Sequence, residues 1–537
     1  MKFFNTAGPV VEADHYIIDP LTRWDLEEIM LLIEQKKYFI LHAPRQTGKT
    51  SCMIALRDKL NKEGKYFAVY TNVEVGQASL HKVKRALKAI AVSLLRDINL
   101  LLKDEFDFTK NLAFYETLDA ESGLLDILIH VSQTIKKPIV LFIDEIDALI
   151  GDSLISVLRQ LRSGYVKRPE NFPSTIVLCG LRDIRDYRIR SSTQEIITGG
   201  STFNVKAKSL KLGNFSKEEV IKLYKQHTEA TGQIFTEDCY DLIMDYTNGQ
   251  PWLVNALAYE VVHEIRENRP RSVVITPEKI EQAKENMVLE RETHLDQLVD
   301  KLKEDRVKNV ILPMIQGIDV RLNEDDLLYC LDLGLIKIDN KKPVISNSIY
   351  REIIPRVLTD TEQINFYHRF ENDEWKEKDG RLSIQKLLNL FRIFWYENTS
   401  IVTENMVGYV EATPQLVMQA FLQRIVNGGG FINREYGLGR KRVDLMIKWK
   451  YPSGDKTIYQ NIVLELKVIG KKDKYESVKQ DGIEQTVQYT KFCGEKEAQL
   501  VIFDRDRSMN WAIDEPNELV EDEGVKVQIW KLGTGED

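Results

Sequence analysis

The stretch EQKKYFILHAPRQTGKTSCMIAL, residues 34–56, constrains the fold more than any other part of the chain. Residues 38–41 read as an apolar strand. The loop Ala43, Pro44, Arg45, Gln46, Thr47, Gly48, Lys49, Thr50, Ser51 follows it, and a helix follows the loop. This is the G-x-x-x-x-G-K-[ST] pattern with Ala43 in place of the first glycine, in the strand–loop–helix setting that gives the pattern its meaning. Backbone amides at such a loop, together with the N-terminus of the helix, form an anion site. Lys49 is expected to reach the β- and γ-phosphates of ATP and Thr50 to bind Mg²⁺. A strand feeding a phosphate loop and a helix also predicts a parallel α/β sheet.

The second half of such a site is KKPIVLFIDEIDALIG, residues 136–151. Its run 138–143 is continuously apolar, as in a parallel strand buried on both faces. It ends in Asp144, expected near the Mg²⁺, and Glu145, expected to orient or deprotonate the attacking water. Asp147 reads equally well as a helix cap or a site residue. A third buried strand, STIVLCGLRDIRDYR, places Arg182 just past its end, either sensing the γ-phosphate or pairing at the surface with Asp183 or Asp186. RDIRDYRIRSS is also where an arginine finger onto a neighbouring subunit would lie, which would require a homo-oligomer. Residues 213–290 read as helical, and in TNGQPWLVNALAYEVV Gly249 ends one helix and Pro251 begins the next.

That order of motifs resembles the AAA-like/STAND group of P-loop ATPases. The resemblance implies a helical lid in which Pro251 and its neighbours close over ATP. It also implies that HYIIDPLTR, residues 15–23, forms part of the base pocket. Downstream, residues 295–317 read as amphipathic helix. NEDDLLYCLDLGLIKIDNKKPVISNSIYREIIPRVL then reads as helix, hairpin and helix, similar to a winged helix. Its helix is acidic, the wrong sign for facing phosphates, so packing or regulation is expected rather than DNA recognition. Residues 361–400 read as helical, with an aromatic run expected in a core.

The last third poses a question in NIVLELKVIG, residues 461–470: a buried strand carries Glu465 and Lys467 on one face. An unpaired charge there costs several kcal/mol. The preceding segments read as a helix over 411–427, a strand FINREY, and a strand RVDLMIKW that carries Asp444. This Asp…Glu-x-Lys arrangement resembles the PD-(D/E)XK nuclease superfamily, with Val443 where a Pro is usual. Asp444 and Glu465 would form an oxygen site for Mg²⁺ or Mn²⁺, and Lys467 would steady the water or the transition-state charge. The resemblance adds Glu411 as a helical metal-shell residue, with Glu435 as its competitor. It also adds Gln485 and Tyr489 as a flanking Gln-x-x-x-Tyr. Arg434, Arg440, Lys441 and Arg442 form a basic patch suited to a nucleic-acid backbone. After AQLVIFDRDRSMNW, read as the last buried strand, the acidic tail from Asp514 is expected to be surface and frayed at its end.

The expectation is therefore a multidomain α/β chain: a P-loop NTPase core (1–205), a helical lid (206–290), a winged helix (291–360), a helical linker (361–400) and a PD-(D/E)XK restriction-endonuclease-like domain (401–537). A length of 537 residues exceeds one ordinary core. The net charge of −8 excludes the whole chain as an electrostatic nucleic-acid binder, so contact with DNA, favoured over RNA, must be local. Five scattered cysteines without a C-x-x-C pair fit a reducing cytosol. No leader is expected at MKFFNTAGPVVEADHY, and no apolar run is long enough for a membrane. The functional expectation is an ATP-regulated, metal-dependent nuclease, by analogy in genome defence. The alternative is an ATPase switch whose nuclease-like fold binds DNA or a partner without cutting.

Overall fold

A computed structural model describes residues 2–79, 82–119, 121–183, 188–190, 196–198, 202–290, 300–316, 322–354, 375–404, 418, 421–422, 430–438, 441–453, 456–469, 473–504, 511, 514 and 516–533. The chain divides into two compact units: residues 1–284 with 328–337, and residues 285–327 with 338–537.

The first unit is built on five parallel strands: β1 (Tyr38–His42), β2 (Phe67–Asn72), β3 (Ile139–Asp144), β4 (Thr175–Gly180) and β5 (Lys206–Lys211), in spatial order β2-β3-β4-β1-β5. β3 and β4 are buried along their whole length, which explains their unbroken apolar sequence. Helix α1 (Lys49–Glu63) follows β1, and α2 (Val83–Leu102) and α3 (Gly151–Gly164) cover the sheet. Leu87, Leu94, Val157 and Leu161 join one apolar core, while Met53 and Leu56 of α1 join another. Three further helices follow: α4 (Lys217–Thr231), α5 (Asp238–Thr247) and α6 (Pro251–Tyr259). A Ser216/Glu219 capping box starts α4.

Helix α7 (Glu324–Asp332) leads into a two-stranded hairpin, β6 (Ile336–Asp339) and β7 (Lys342–Ile345). Asn340 and Lys341 both have positive φ, as a tight two-residue hairpin turn requires.

In the second unit, helix α8 (Ile384–Glu404) and six strands form one layer each: β8 (Gly430–Leu438), β9 (Lys441–Ser453), β10 (Lys456–Ile469), β11 (Glu497–Asp504), β12 (Glu518–Asp522) and β13 (Val525–Leu532). Their order is β8-β9-β10-β11-β13-β12. β8, β9 and β10 pair antiparallel, β10, β11 and β13 parallel, and β12 antiparallel to β13, so the sheet is mixed. The aromatics of α8, Phe391, Phe394 and Trp395, are core residues packed with Phe421 and Phe503. Helix α9 (Tyr475–Phe492) packs Ile483 and Val487 against Ile469, Leu500 and Ile502 of the sheet.

Beyond Asp514 the sequence expectation fails. Residues 518–532 form β12 and β13, and Val525, Val527, Ile529, Trp530 and Leu532 are buried. β13 lies beside the central strand β11, so its apolar side chains complete the core; the flanking acidic residues mask that pattern in the sequence.

Candidate functional site

The ends of β1, β3 and β4 bring the first set of predicted residues together. The amide of Ala43 donates to the carbonyl of Gly180 at 3.3 Å, tying the start of the loop to β4. Gln46 and Gly48 have positive φ, the curl that turns the loop into α1. Lys49 is only 8% exposed, and its Nζ donates to the carbonyls of Ala43 (2.8 Å) and Pro44 (2.9 Å). Asp144, 1% exposed, accepts from Thr50 Oγ1 (2.7 Å) and from the hydroxyl of Tyr70 (2.9 Å) on Oδ2. Its Oδ1 accepts from the amide of Glu145 (2.9 Å).

Glu145 has φ of 55°, a strained value for a residue with a side chain. Its carboxyl is raised above the usual carboxylate range, first by burial and then by Asp144 and Asp147, with Lys49 and Arg45 opposing. A base of higher proton affinity is better suited to take a proton from water near neutral pH. Asp147 is a positioning group here: its Oδ1 accepts from the amide of Leu181 (3.1 Å) and joins the turn after β3 to the end of β4.

Arg182 does not pair with Asp183. Its Nε is 3.0 Å from Asp332 Oδ2, and its guanidinium sits 5.1 Å from the centre of the Tyr329 ring. Asp183 instead binds Lys206 and accepts from Ser209. Asp186 lies outside the described residues, as do the side chains of residues 184–200, which hold the rest of the candidate finger segment after Asp183.

At the joint between α5 and α6, Gly249 has φ of +68°, and an added Cβ would stand 2.0 Å from the Phe215 carbonyl oxygen. Only glycine allows that approach. Pro251 opens α6 at its first turn, with the side chain of Gln250 accepting from the Leu253 amide. Gln250 Nε2 reaches the Gln46 carbonyl at 3.5 Å, the outer limit of a hydrogen bond. Within segment 15–23, Arg23 donates to Thr47 O (3.0 Å) and Gly213 O (2.5 Å) and lies over Phe215 (4.6 Å). It therefore braces the loop against the connection between β5 and α4.

The sequence profile of the AAA-like domain family matches residues 22–355, well over half of the chain. The chain belongs to that family. Among solved structures, the match to the Walker-type ATPase paby2304 of Pyrococcus abyssi has a TM-score of 0.45 at 13% identity, covering 65% of this chain and 99% of that one. Cdc6p from Pyrobaculum aerophilum gives 0.34 at 15% identity, covering 63% and 93%. The Thermotoga maritima RuvB Holliday junction branch migration motor gives 0.32 at 14%, covering 61% and 93%. No curated protein matches the chain. The AAA-like family implies a bound nucleotide and usually Mg²⁺. The residues fit: Thr50 Oγ1 and Asp144 Oδ2 are two oxygens 2.7 Å apart beside Lys49, and Mg²⁺ takes oxygen ligands.

Tyr70 is the residue of this AAA-like site that sequence reasoning missed. β2 pairs with β3 in the register Asn72↔Asp144 and Tyr70↔Phe142, so a hydroxyl near the end of β2 faces the acidic end of β3. A polar side chain late in FAVYTN was the available signal.

Residues 356–537 lie outside the AAA-like match. There, the second predicted set gathers on β9, β10 and α9. β9 and β10 pair as Leu445↔Leu464, so the next residues on each strand are Asp444 and Glu465. Leu464 and Leu466 point into the core shared with α8, which puts Glu465 and Lys467 on the other face, under α9. Glu465 is 2% exposed. Lys467 Nζ donates to Glu465 Oε1 (2.7 Å) and to Gln485 Oε1 (2.6 Å). Gly482 permits this approach: a Cβ there would be 3.0 Å from Leu500 and 3.3 Å from Lys467 Cγ. Tyr489 packs against the Met446, Val463 and Ala498 cluster.

Glu411 and Arg440 lie outside the described residues, as do the side chains of Arg434, Glu435, Lys441, Arg442 and Asp444. Among the described residues, no group of three or more His, Cys, Asp or Glu stands ready for a metal, and no helix is long and apolar enough to cross a membrane.

Proposed function

We propose that the chain is an ATP-binding and ATP-hydrolysing switch whose second unit carries a metal-dependent phosphodiesterase site acting on nucleic acid, DNA in preference to RNA. The observation that carries the second half is the Glu465–Lys467–Gln485 cluster of β10 and α9, with Asp444 next to Leu445, which pairs with Leu464. The first half rests on the AAA-like family and on the geometry of Lys49, Thr50, Asp144 and Glu145.

In the ATPase, Lys49 exchanges two backbone carbonyls for phosphate oxygens. Thr50 and Asp144 would hold Mg²⁺, which neutralises charge on the β- and γ-phosphates when bound. Glu145 takes the proton of the attacking water, and Arg182 steadies the γ-phosphate. The lid closes through Gly249 and Pro251.

In the second unit, Asp444 and Glu465 are an oxygen pair suited to Mg²⁺ or Mn²⁺, which would polarise the phosphodiester and acidify water. Lys467, already at Glu465, supplies positive charge to the developing transition state, and Gln485 fixes its direction. Burial of Glu465 beside the half-buried Lys467 then has a reason beyond stability. A nuclease held silent by a nucleotide switch suits defence against foreign DNA, a role that rests on analogy.

A closed Lys467–Glu465–Gln485 network also fits a fold that binds DNA or a partner without cutting. A cleavage assay separates the two. Plasmid, linear and single-stranded DNA and RNA are incubated with Mg²⁺ or Mn²⁺, with and without ATP, using wild type, Lys49→Ala and Glu465→Gln. The nuclease reading expects cutting that Glu465→Gln abolishes and that ATP alters only when Lys49 is intact. ATP turnover without cleavage of any substrate favours the binding fold.

A further inference from the structure

Residues 328–337 belong to the ATPase unit, although the chain on either side of them belongs to the other unit. Within these ten residues three contacts reach three parts of the nucleotide site. Asp332 pairs with Arg182 at 3.0 Å, with side chains only 14% and 13% exposed. Gly334, at φ of +74°, lies so close to the phosphate loop that an added Cβ would be 2.8 Å from Pro44 Cγ. Lys337 Nζ donates to Asn248 Oδ1 (2.9 Å), the residue that caps α5 just before the Gly249–Pro251 joint.

Arg182 stands two residues past β4, whose neighbour β1 feeds the phosphate loop. On the ATPase reading above, Arg182 meets two anions in turn: the Asp332 carboxylate, to which it is paired here, and the terminal phosphate of a nucleoside triphosphate. A nucleoside diphosphate lacks that phosphate and leaves the ion pair undisturbed.

We infer that Asp332 competes with the γ-phosphate for Arg182 and so sets the preference of the site between ATP and ADP. The inference rests on the ATPase reading above. A ligand shifts an equilibrium only by its differential affinity for the two states, and only the triphosphate differs here. By reciprocity, triphosphate binding loosens the hold of Asp332, and with it the segment 328–337. Asp332 is thus a positioning residue that acts through Arg182.

The test is calorimetric binding of ATP and of ADP, each with Mg²⁺, to the full chain as wild type, Asp332→Asn, Arg182→Ala and the double variant. Asp332→Asn is expected to tighten ATP about tenfold, the equivalent of about 1.4 kcal/mol, and to leave ADP unchanged. In the Arg182→Ala background the same substitution should change neither. Unchanged ADP binding also reports an intact fold. Equal changes for ATP and ADP, no change for ATP, or an ATP effect that survives without Arg182 would each overturn the inference. Wild-type protein that binds neither nucleotide would instead overturn the ATPase reading itself.

Discussion

Two lysines hold the two candidate phosphate sites, and they are held differently. Lys49 donates to the carbonyls of Ala43 and Pro44, neutral groups of its own loop. Lys467 donates to the Glu465 carboxylate and to Gln485. Both donors are ammonium groups, but a charged acceptor adds an ion-pair attraction that a neutral carbonyl lacks. A polyphosphate arriving at Lys49 therefore trades weak partners for strong ones. A phosphodiester arriving at Lys467 must compete with a buried carboxylate two residues away. That competition eases only if a cation takes over Glu465. The first site is poised for an anion with its own Mg²⁺; the second calls for a metal before the anion.

The largest expected effect sharpens the contrast from the ATPase side. Glu145 is raised by burial and by two neighbouring acids. As pH falls through that raised value the base is protonated and lost. ATP hydrolysis should therefore decline on the acid side at a pH above the ordinary carboxylate range near 4.3. Glu145→Gln should remove the acid limb and cut turnover by about 10²-fold or more at neutral pH. Steady-state hydrolysis across pH checks both, and an acid limb unchanged in Glu145→Gln would assign the base elsewhere.

A smaller effect concerns Tyr70. With Thr50 engaged by a bound Mg²⁺, the Tyr70 hydroxyl would still hold Asp144 Oδ2, to which it donates here. A hydrogen bond to a charged group contributes about 1.5–3 kcal/mol. Tyr70→Phe should raise the Mg²⁺ concentration for half-maximal nucleotide binding about tenfold, with Mg²⁺-free nucleotide affinity unchanged. Equal weakening with and without Mg²⁺ would mark Tyr70 as a packing residue only.

What was legible in the sequence follows from how local each contact is. The phosphate loop, Asp144-Glu145 and the Gly249–Pro251 joint are written in consecutive residues, and the folded chain brings them together. The strand pair carrying Asp444 and Glu465, with Gln485 on the next helix, was readable because alternation and a short helix span carry it. Tyr70 and Asp332 reach their partners across 74 and 150 residues, and no local pattern announces them. The terminal strand was misread because Glu521, Asp522 and Glu523 precede VKVQIWKL, and charge outweighed a two-residue alternation. Arg182 stands just past the end of β4 as expected, but its ion-pair partner Asp332 comes from α7 rather than from Asp183.

The central claim, that the second unit holds a metal and phosphate site of its own, is tested most directly by titrating Mn²⁺ into nucleotide-free protein in a calorimeter. Without nucleotide, the phosphate loop contributes no polyphosphate to the metal. The account predicts a binding event present in wild type and in Lys49→Ala and lost in both Asp444→Ala and Glu465→Gln. No binding in any of the four proteins, or binding that persists in Asp444→Ala and Glu465→Gln, would contradict it.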